Sequence, residues 1–157
     1  MSRNAGAEVL MSGLPKNISN FDLVVANLLV ILYESFPRPI NLNPSNTGKI
    51  GFSAVPVGTS DDESWEIGTM IDDVFTFLSE EGFIRYQSGP NNQHGYYWSA
   101  RLTLKGLTIL GSPESLGSKG EPLISKIKAS LEADAIAKGT EALRKAVFQI
   151  FRMAMEW

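Results

Sequence analysis

The sequence predicts a mainly helical α+β fold with one small antiparallel β-hairpin, on three observations. Two stretches in the first half of the chain repeat apolar residues every three or four positions, as helices with a buried face do. Between residues 81 and 103, two alternating aromatic runs flank a tip of turn-forming residues, which is typical of a hairpin. Two more helical patterns fill residues 121–157. With 157 residues, 43% of them apolar, the chain favours one domain with an appended helical segment.

The first predicted helix runs from Phe21 to about Phe36, where Pro37 ends it. Ser19 or Asn20 is expected to cap its start. Only four of its residues are polar, so we expect it to be covered on more than one side. The prolines of "PRPINLNP" then predict a short extended segment, and the closely spaced Gly and Pro of residues 46–59 predict a loop or a poorly regular strand pair.

The second predicted helix runs from Asp61 to Glu81. "SDDE" at its start matches a capping box, in which Ser60 and Glu63 each bond the other's backbone amide. Gly82 is expected to end the helix in the left-handed conformation. The apolar stripe of this helix falls at steps of three and four and comprises Ile67, Met70, Ile71, Val74, Phe77 and Leu78.

The strands of the predicted hairpin are "FIRYQ" and "YYWSARLT", joined by "SGPNNQHG". Thr103 is expected to cap a short helix, Leu104 to Leu110, which ends at Gly111 and Pro113.

This order of elements resembles the winged-helix group of helix-turn-helix proteins over residues 21–110. The most specific piece, "FLSEEGFIRYQ...YYWSARLTLKGLTIL", is similar to the end of the second packed helix, the wing and the Thr-initiated helix of bacterial winged-helix regulators. A separate short helix before the helix that would enter the major groove is not evident, since residues 41–59 read as loop. The division that follows is a loosely ordered lead-in (1–18), a winged-helix domain (19–111), a linker (112–120) and a C-terminal helical segment (121–157).

The resemblance implies a DNA-binding protein of the transcriptional-regulator kind that forms a homodimer and contacts double-stranded DNA through the helix before the wing. That helix, however, is acidic here: residues 60–81 hold eight Asp or Glu and no Lys or Arg. Phosphate backbones are bound by cations, so such a helix would be repelled. Its polar face instead predicts an alternative function, a non-catalytic module that binds a basic protein partner. The face consists of Glu66, Thr69, Asp73, Thr76 and Glu80.

The wing differs, because residues 82–105 contain no acid. Its cations and hydrogen-bonding groups predict contacts with phosphates or the minor groove, although Asn, Gly and Pro also suit any solvated turn. His94 is either such a contact or an exposed loop residue. Tyr96, Tyr97 and Trp98 either stack on bases or pack across the strands. The candidate DNA-binding residues, with one loop lysine added, are Lys49, Arg85, Gln87, Asn91, Asn92, Gln93, His94, Arg101 and Lys105.

Several function classes find no support in the sequence. There is no cysteine and one histidine, which excludes disulfides, thiolate zinc sites and histidine clusters and fits a cytoplasmic protein. No phosphate-binding glycine loop or catalytic triad is present, so we expect no enzyme activity and no cofactor. The apolar run Leu23 to Tyr33 is too short to span a bilayer, so no membrane segment is expected. A net charge of −3 leaves only local patches for nucleic acid.

Two helices are predicted at the C-terminal side, about Glu121 to Lys138 and Thr140 to Trp157, with Gly139 between them as a break or kink. The second has an apolar arc wider than one seam, which predicts that it is covered. It either packs on the first apolar helix or forms a symmetric dimer, and the two are compatible. The residues assigned to packing or dimerisation are Leu143, Val147, Ile150, Phe151, Ala154 and Trp157.

Overall fold

The computed structural model describes residues 15–43, 61–89, 96–113, 120–132 and 138–157, with backbone alone for 16, 61–68 and 138–140. These residues form a mainly helical α+β fold with a small antiparallel sheet, which confirms the predicted class. The predicted capping box at Ser60, the loop at 46–59 and the hairpin tip lie outside the described residues. The elements are α1 (Lys16–Ser35), β1 (Ile40–Leu42), α2 (Asp61–Glu80), β2 (Ile84–Ser88), β3 (Tyr97–Leu102), α3 (Leu104–Leu110), α4 (Leu123–Glu132) and α5 (Lys138–Met155).

Helix α1 begins five residues before the predicted start. Pro15 stands at its N-cap with no side-chain cap, and the Pro15 carbonyl accepts from the amides of Ile18 and Ser19 at 3.2 Å each. The predicted caps at Ser19 and Asn20 are therefore wrong, because both residues lie inside the helix. A proline has no amide to leave unsatisfied, so it is well tolerated where a helix starts.

Helix α1 is the centre of the core, in contact with α2, β3, α4 and α5. Its fully buried residues point to more than one side, as predicted; they are Val24, Val25, Ala26, Leu28, Leu29 and Leu32. By length and composition alone, Asn17–Ser35, with a mean hydropathy of 1.4, is the one described segment that could cross a membrane. The apolar stretch is thus longer than the run at residues 23–33 suggested, and 39% of its apolar window is buried inside the fold.

The sheet has the strand order β1–β3–β2, with both pairings antiparallel. The predicted extended segment after α1 is β1, which pairs on the hairpin at Ile40 opposite Ala100 and Leu42 opposite Tyr97. The β1–β3 register shifts at Ser99, which has a φ of 54° and donates its amide to the Asn41 side chain at 2.9 Å. A bulge of this kind bends the strand and redirects its side chains.

The turn from α2 into the hairpin follows the prediction. Gly82 has a φ of +85°, its amide bonds the Ser79 carbonyl and the next amide bonds the Leu78 carbonyl at 2.8 Å, which together make a Schellman motif. The Thr103 hydroxyl accepts the Gly106 amide at 3.0 Å and so caps α3 at its predicted start. The start of β2 is thus fixed by the turn at Gly82, and the end of β3 by the cap at Thr103.

Helices α4 and α5 share one core with the rest of the fold through residues such as Leu123, Ile127, Val147 and Ile150. Gly139 lies inside the first turn of α5, so of the predicted break or kink, the break between two helices at this glycine is wrong. The first amides of a helix have no intrahelical partner, so a glycine there weakens the helix little.

Candidate nucleic-acid interface

The two hairpin strands place a pair of arginines side by side on the solvent face. In the β2–β3 register, Ile84 opposes Leu102, and both are buried; the next pair, Arg85 opposite Arg101, is exposed. Because side chains alternate along a strand, Gln87 lies on the same face as Arg85, and its partner across the ladder is Trp98. We call these four residues, Arg85, Gln87, Trp98 and Arg101, the outer face of the hairpin.

Within the described residues, no ion pair compensates the positive charge of the outer face. Like charges directly opposite each other on a sheet destabilise it, because the two side chains are close neighbours. In the part of the chain that the structure describes, the ion pairs are Lys128–Glu34 and Arg144–Asp22, and neither involves Arg85 or Arg101. An anion placed between the two guanidinium groups would relieve this repulsion and bond both of them.

The inner face of the hairpin holds the outer face in place. The Tyr97 ring stacks on Phe75 at 3.6 Å with an interplanar angle of 2°, and its hydroxyl donates to the Asp72 carboxylate. Tyr86 packs edge-on against both rings. Of the three adjacent aromatics predicted either to stack on bases or to pack, Tyr97 therefore packs.

The other two aromatics of this run differ from Tyr97. Tyr96 is half-buried, whereas Trp98 is 40% exposed on the outer face. Trp98 is thus the aromatic of the three that a ligand on the outer face would meet.

Lys105 has a structural role that the sequence did not reveal. Its Nζ donates to the Glu81 carbonyl at 3.1 Å and lies 5.5 Å from the centre of the Phe83 ring. The carbonyl follows the end of α2, where a cation offsets the negative end of the helix dipole. Lys105 also lines, with Arg85, a shallow cleft of about 370 Å³ at the base of the hairpin. The Lys105 ammonium is therefore already bound to the end of α2 in the free protein.

The remaining candidate DNA-binding residues lie outside the described residues. These are Lys49, Asn91, Asn92, Gln93 and His94.

The polar face of α2 is exposed and acidic, as its sequence pattern indicates. Asp73 and Glu80 are both exposed, and neither belongs to an ion pair within the described residues. Thr69 and Thr76 are exposed on the same helix, and the Thr76 hydroxyl donates to the Asp72 carbonyl at 3.1 Å. The fifth residue assigned to this face, Glu66, has a side chain outside the described part. A phosphate backbone would meet negative charge here.

The apolar stripe of α5 is mostly used within the chain. Leu143, Val147 and Ile150 are buried in the core. Phe151 packs its ring against Phe21 at 6.1 Å and, edge-on, against the rings of Phe77 and Phe83. Ala154 is half-buried, while Trp157 is exposed. Of the two interpretations of this stripe, intramolecular packing accounts for all but Trp157.

One buried ion pair was not predicted. The Asp22 side chain is 2% exposed and accepts from Arg144 Nη1 at 2.9 Å, which joins α1 to α5. Its second oxygen, Oδ2, has no hydrogen-bond partner among the described residues. Burial raises the pKa of Asp22 to about 6 although Arg144 acts to lower it. The available signal was an acid near the start of an otherwise apolar helix, but the arginine that pairs with it is 122 residues away.

We found no match to this chain among protein-family models, curated proteins or solved structures.

Proposed function

We propose that this protein is a winged-helix DNA-binding protein of the transcriptional-regulator kind, and that the outer face of its hairpin contacts double-stranded DNA. The observation that carries the proposal is the exposed pair of Arg85 and Arg101, directly opposed on a hairpin without acids and in no ion pair among the described residues. Guanidinium groups bind phosphate oxygens through two parallel hydrogen bonds, so two of them side by side suit a phosphate backbone.

The element order supports the winged-helix part of the proposal. Helix α1, the short strand β1, helix α2, the hairpin and the short helix α3 follow one another as the resemblance implies, and β1 pairs on the hairpin. The acidic face of α2 argues against the major-groove contact that this group usually makes. The DNA contact therefore falls to the hairpin, with Gln87 and Trp98 beside the arginines.

The test is a titration of a labelled DNA duplex at low salt, followed by fluorescence anisotropy. We expect the wild type to bind, and the Arg85→Gln/Arg101→Gln variant to bind more weakly with a shallower salt dependence. The logarithm of the observed binding constant decreases linearly with the logarithm of the salt concentration, by about 0.9 per phosphate contact. Loss of two contacts should therefore reduce the magnitude of this slope by up to about 1.8. A matched control, Arg38→Gln/Arg152→Gln, removes two exposed cations outside the hairpin, neither of them in an ion pair among the described residues.

Two results would overturn the proposal. One is no duplex binding by the wild type even at low salt. The other is a hairpin variant that keeps the wild-type slope, since the control establishes what the loss of two positive charges does elsewhere.

A second candidate function is a winged-helix module for protein interaction, with α2 docking on a basic partner. Asp73 and Glu80 favour it because both are exposed on one face, with the partly exposed Phe77 between them. A Lys-rich peptide is the probe. Under this candidate it binds the wild type, and Asp73→Lys/Glu80→Lys abolishes the binding; unchanged binding by that variant rejects it.

The proposal includes a homodimer, since paired copies would place two hairpins on one duplex.

A further inference from the structure

The cleft at the base of the hairpin, about 370 Å³ in volume, lies where the end of α2, the start of β2 and the start of α3 meet. Its volume is at the lower end of the range of small-molecule sites in proteins. Arg85 and Lys105 supply its positive charge. Ile84 and Leu104 supply its apolar surface, and none of the described residues that line it is an acid. The lining therefore matches a small anion that has an apolar part.

Lys105 is held in position in the free protein. Its Nζ donates to the Glu81 carbonyl at 3.1 Å and lies 5.5 Å from the centre of the Phe83 ring. An ammonium group has three N–H donors, so this bond leaves two for a ligand. Because the half-buried side chain is already ordered, a ligand that bonds it costs less conformational entropy than one that must immobilise a free lysine.

The charges around the cleft favour a ligand with one negative charge over a ligand with two. The cleft lies at the C-terminal end of α2, where the helix dipole is negative, and the neighbouring residues Glu80 and Glu81 are exposed. Lys105 offsets this negative end, which leaves the charge of Arg85 for the ligand. A guanidinium bonds a carboxylate through two parallel hydrogen bonds. A carboxylate therefore fits the cleft better than a dianionic phosphate ester.

Leu104 accounts for the apolar part of the ligand. Its side chain is 73% exposed, whereas Ile84 is only 1% exposed, so Leu104 provides most of the apolar surface that a ligand could cover. An alkyl or aromatic group placed against Leu104 would remove this surface from water, which is favourable.

We infer that this cleft binds a small organic carboxylate, with the carboxylate bonded to Arg85 and Lys105 and the apolar group against Leu104. This site goes beyond the proposed contact with DNA and does not depend on it, since the ligand binds the free chain.

The test is an NMR titration of the full chain without DNA, in which the backbone amide shifts report binding. Hexanoate is the main probe. Acetate lacks the alkyl chain, hexylamine carries a positive group in place of the carboxylate, and hexyl phosphate carries a second negative charge. We expect hexanoate to bind most tightly of the four, with the largest shifts at the amides of Gly82, Arg85 and Lys105.

Two variants separate the charged contact from the apolar one. Arg85→Gln should weaken hexanoate binding about tenfold or more, because it removes a charge-assisted contact. Leu104→Ser should bring the affinity for hexanoate close to that for acetate and leave the affinity for acetate unchanged. The matched control is Arg152→Gln, which removes an exposed cation on α5 and should change neither affinity. The amide spectra also verify that each variant folds.

Absence of shifts at the three named amides would overturn the inference, as would hexylamine binding as tightly as hexanoate. Equal losses from Arg85→Gln and Arg101→Gln would overturn it too, because the anion would then lie between the two arginines of the outer face. Tighter binding of hexyl phosphate would overturn the choice of a carboxylate. Duplex binding is proposed to use both arginines, whereas Arg101 does not line the cleft, so the two proposals fail independently.

Discussion

Replacing the buried carboxylate of α1, Asp22→Asn, should make the protein more stable near neutral pH. The substitution keeps the shape of the side chain and removes its charge. Asp22 is 2% exposed and its Oδ2 has no hydrogen-bond partner among the described residues, so the charged form is poorly solvated. Arg144 compensates only in part, since burial still raises the pKa. The side chain of Arg144 is one-third exposed, so it retains contact with water in the variant.

The size of the expected gain in stability follows from the pKa of Asp22, which is about 6 in the folded protein and ordinarily 3.8. The folded state holds this proton more tightly than the unfolded state. The carboxyl group's contribution to the free energy of unfolding is therefore greatest below about pH 4 and is lost as the pH rises through about 6. A difference of roughly two pKa units corresponds to about 3 kcal/mol, which is an upper bound on the gain from Asp22→Asn above pH 6.

The assay is urea denaturation of both proteins across this pH window. The stability difference between variant and wild type should be near zero at about pH 4 and should grow to its full value by about pH 7. Asp73→Asn, at an exposed position on α2, is the control for removing a carboxylate outside the core. If Asp22→Asn were the less stable protein at neutral pH, attraction to Arg144 would outweigh burial and the reasoning would be refuted.

Two further predictions concern the base of the hairpin. Gly106→Ala should lower the free energy of unfolding by about 1–3 kcal/mol, because its new Cβ would lie 2.4 Å from the Phe83 carbonyl oxygen. Gly111→Ala, whose nearest contact is 3.4 Å, should cost less, and equal losses in urea denaturation would contradict this. Thr103→Val should cost about 1–2 kcal/mol, because it removes the α3 cap and the hydrogen bond from the hydroxyl to the Gly82 carbonyl. An unchanged melting temperature would show that neither bond contributes.

The features that the sequence predicts well are local. The end of α2 at Gly82, the cap at Thr103 and the bounds of α3 each depend on residues within a few positions of one another. The alternation that puts Arg85 and Arg101 outside is local too, since it needs only the period of a strand. Register is less local. The buried partners Ile84 and Leu102 align the base of the hairpin, but the register shift between Arg85 and Gln87, which brings Trp98 opposite Gln87, does not follow from alternation.

The features that the sequence does not predict depend on distant partners. The pairing of β1 on the hairpin includes a bond between Asn41 and Ser99, 58 residues apart, and no periodicity indicates it. Lys105 was assigned to DNA because it stands in a segment without acids, yet its hydrogen-bond acceptor lies 24 residues earlier. The division of α5 into a buried side and an exposed side likewise depends on how α1 and α4 pack against it.

Because the Lys105 ammonium is bound to the end of α2, fewer cations near the hairpin are available for DNA. With Lys105 donating to the Glu81 carbonyl, the hairpin's available cations among the described residues are Arg85 and Arg101. Helix α2 cannot replace them, since its buried side fills the core and its exposed side is acidic. The two adjacent positive charges, Arg85 and Arg101, destabilise the free hairpin by their repulsion. The same pair that weakens the free hairpin would strengthen its complex with a phosphate backbone, so loss of Arg85 and Arg101 should weaken DNA binding while leaving the fold as stable or more so.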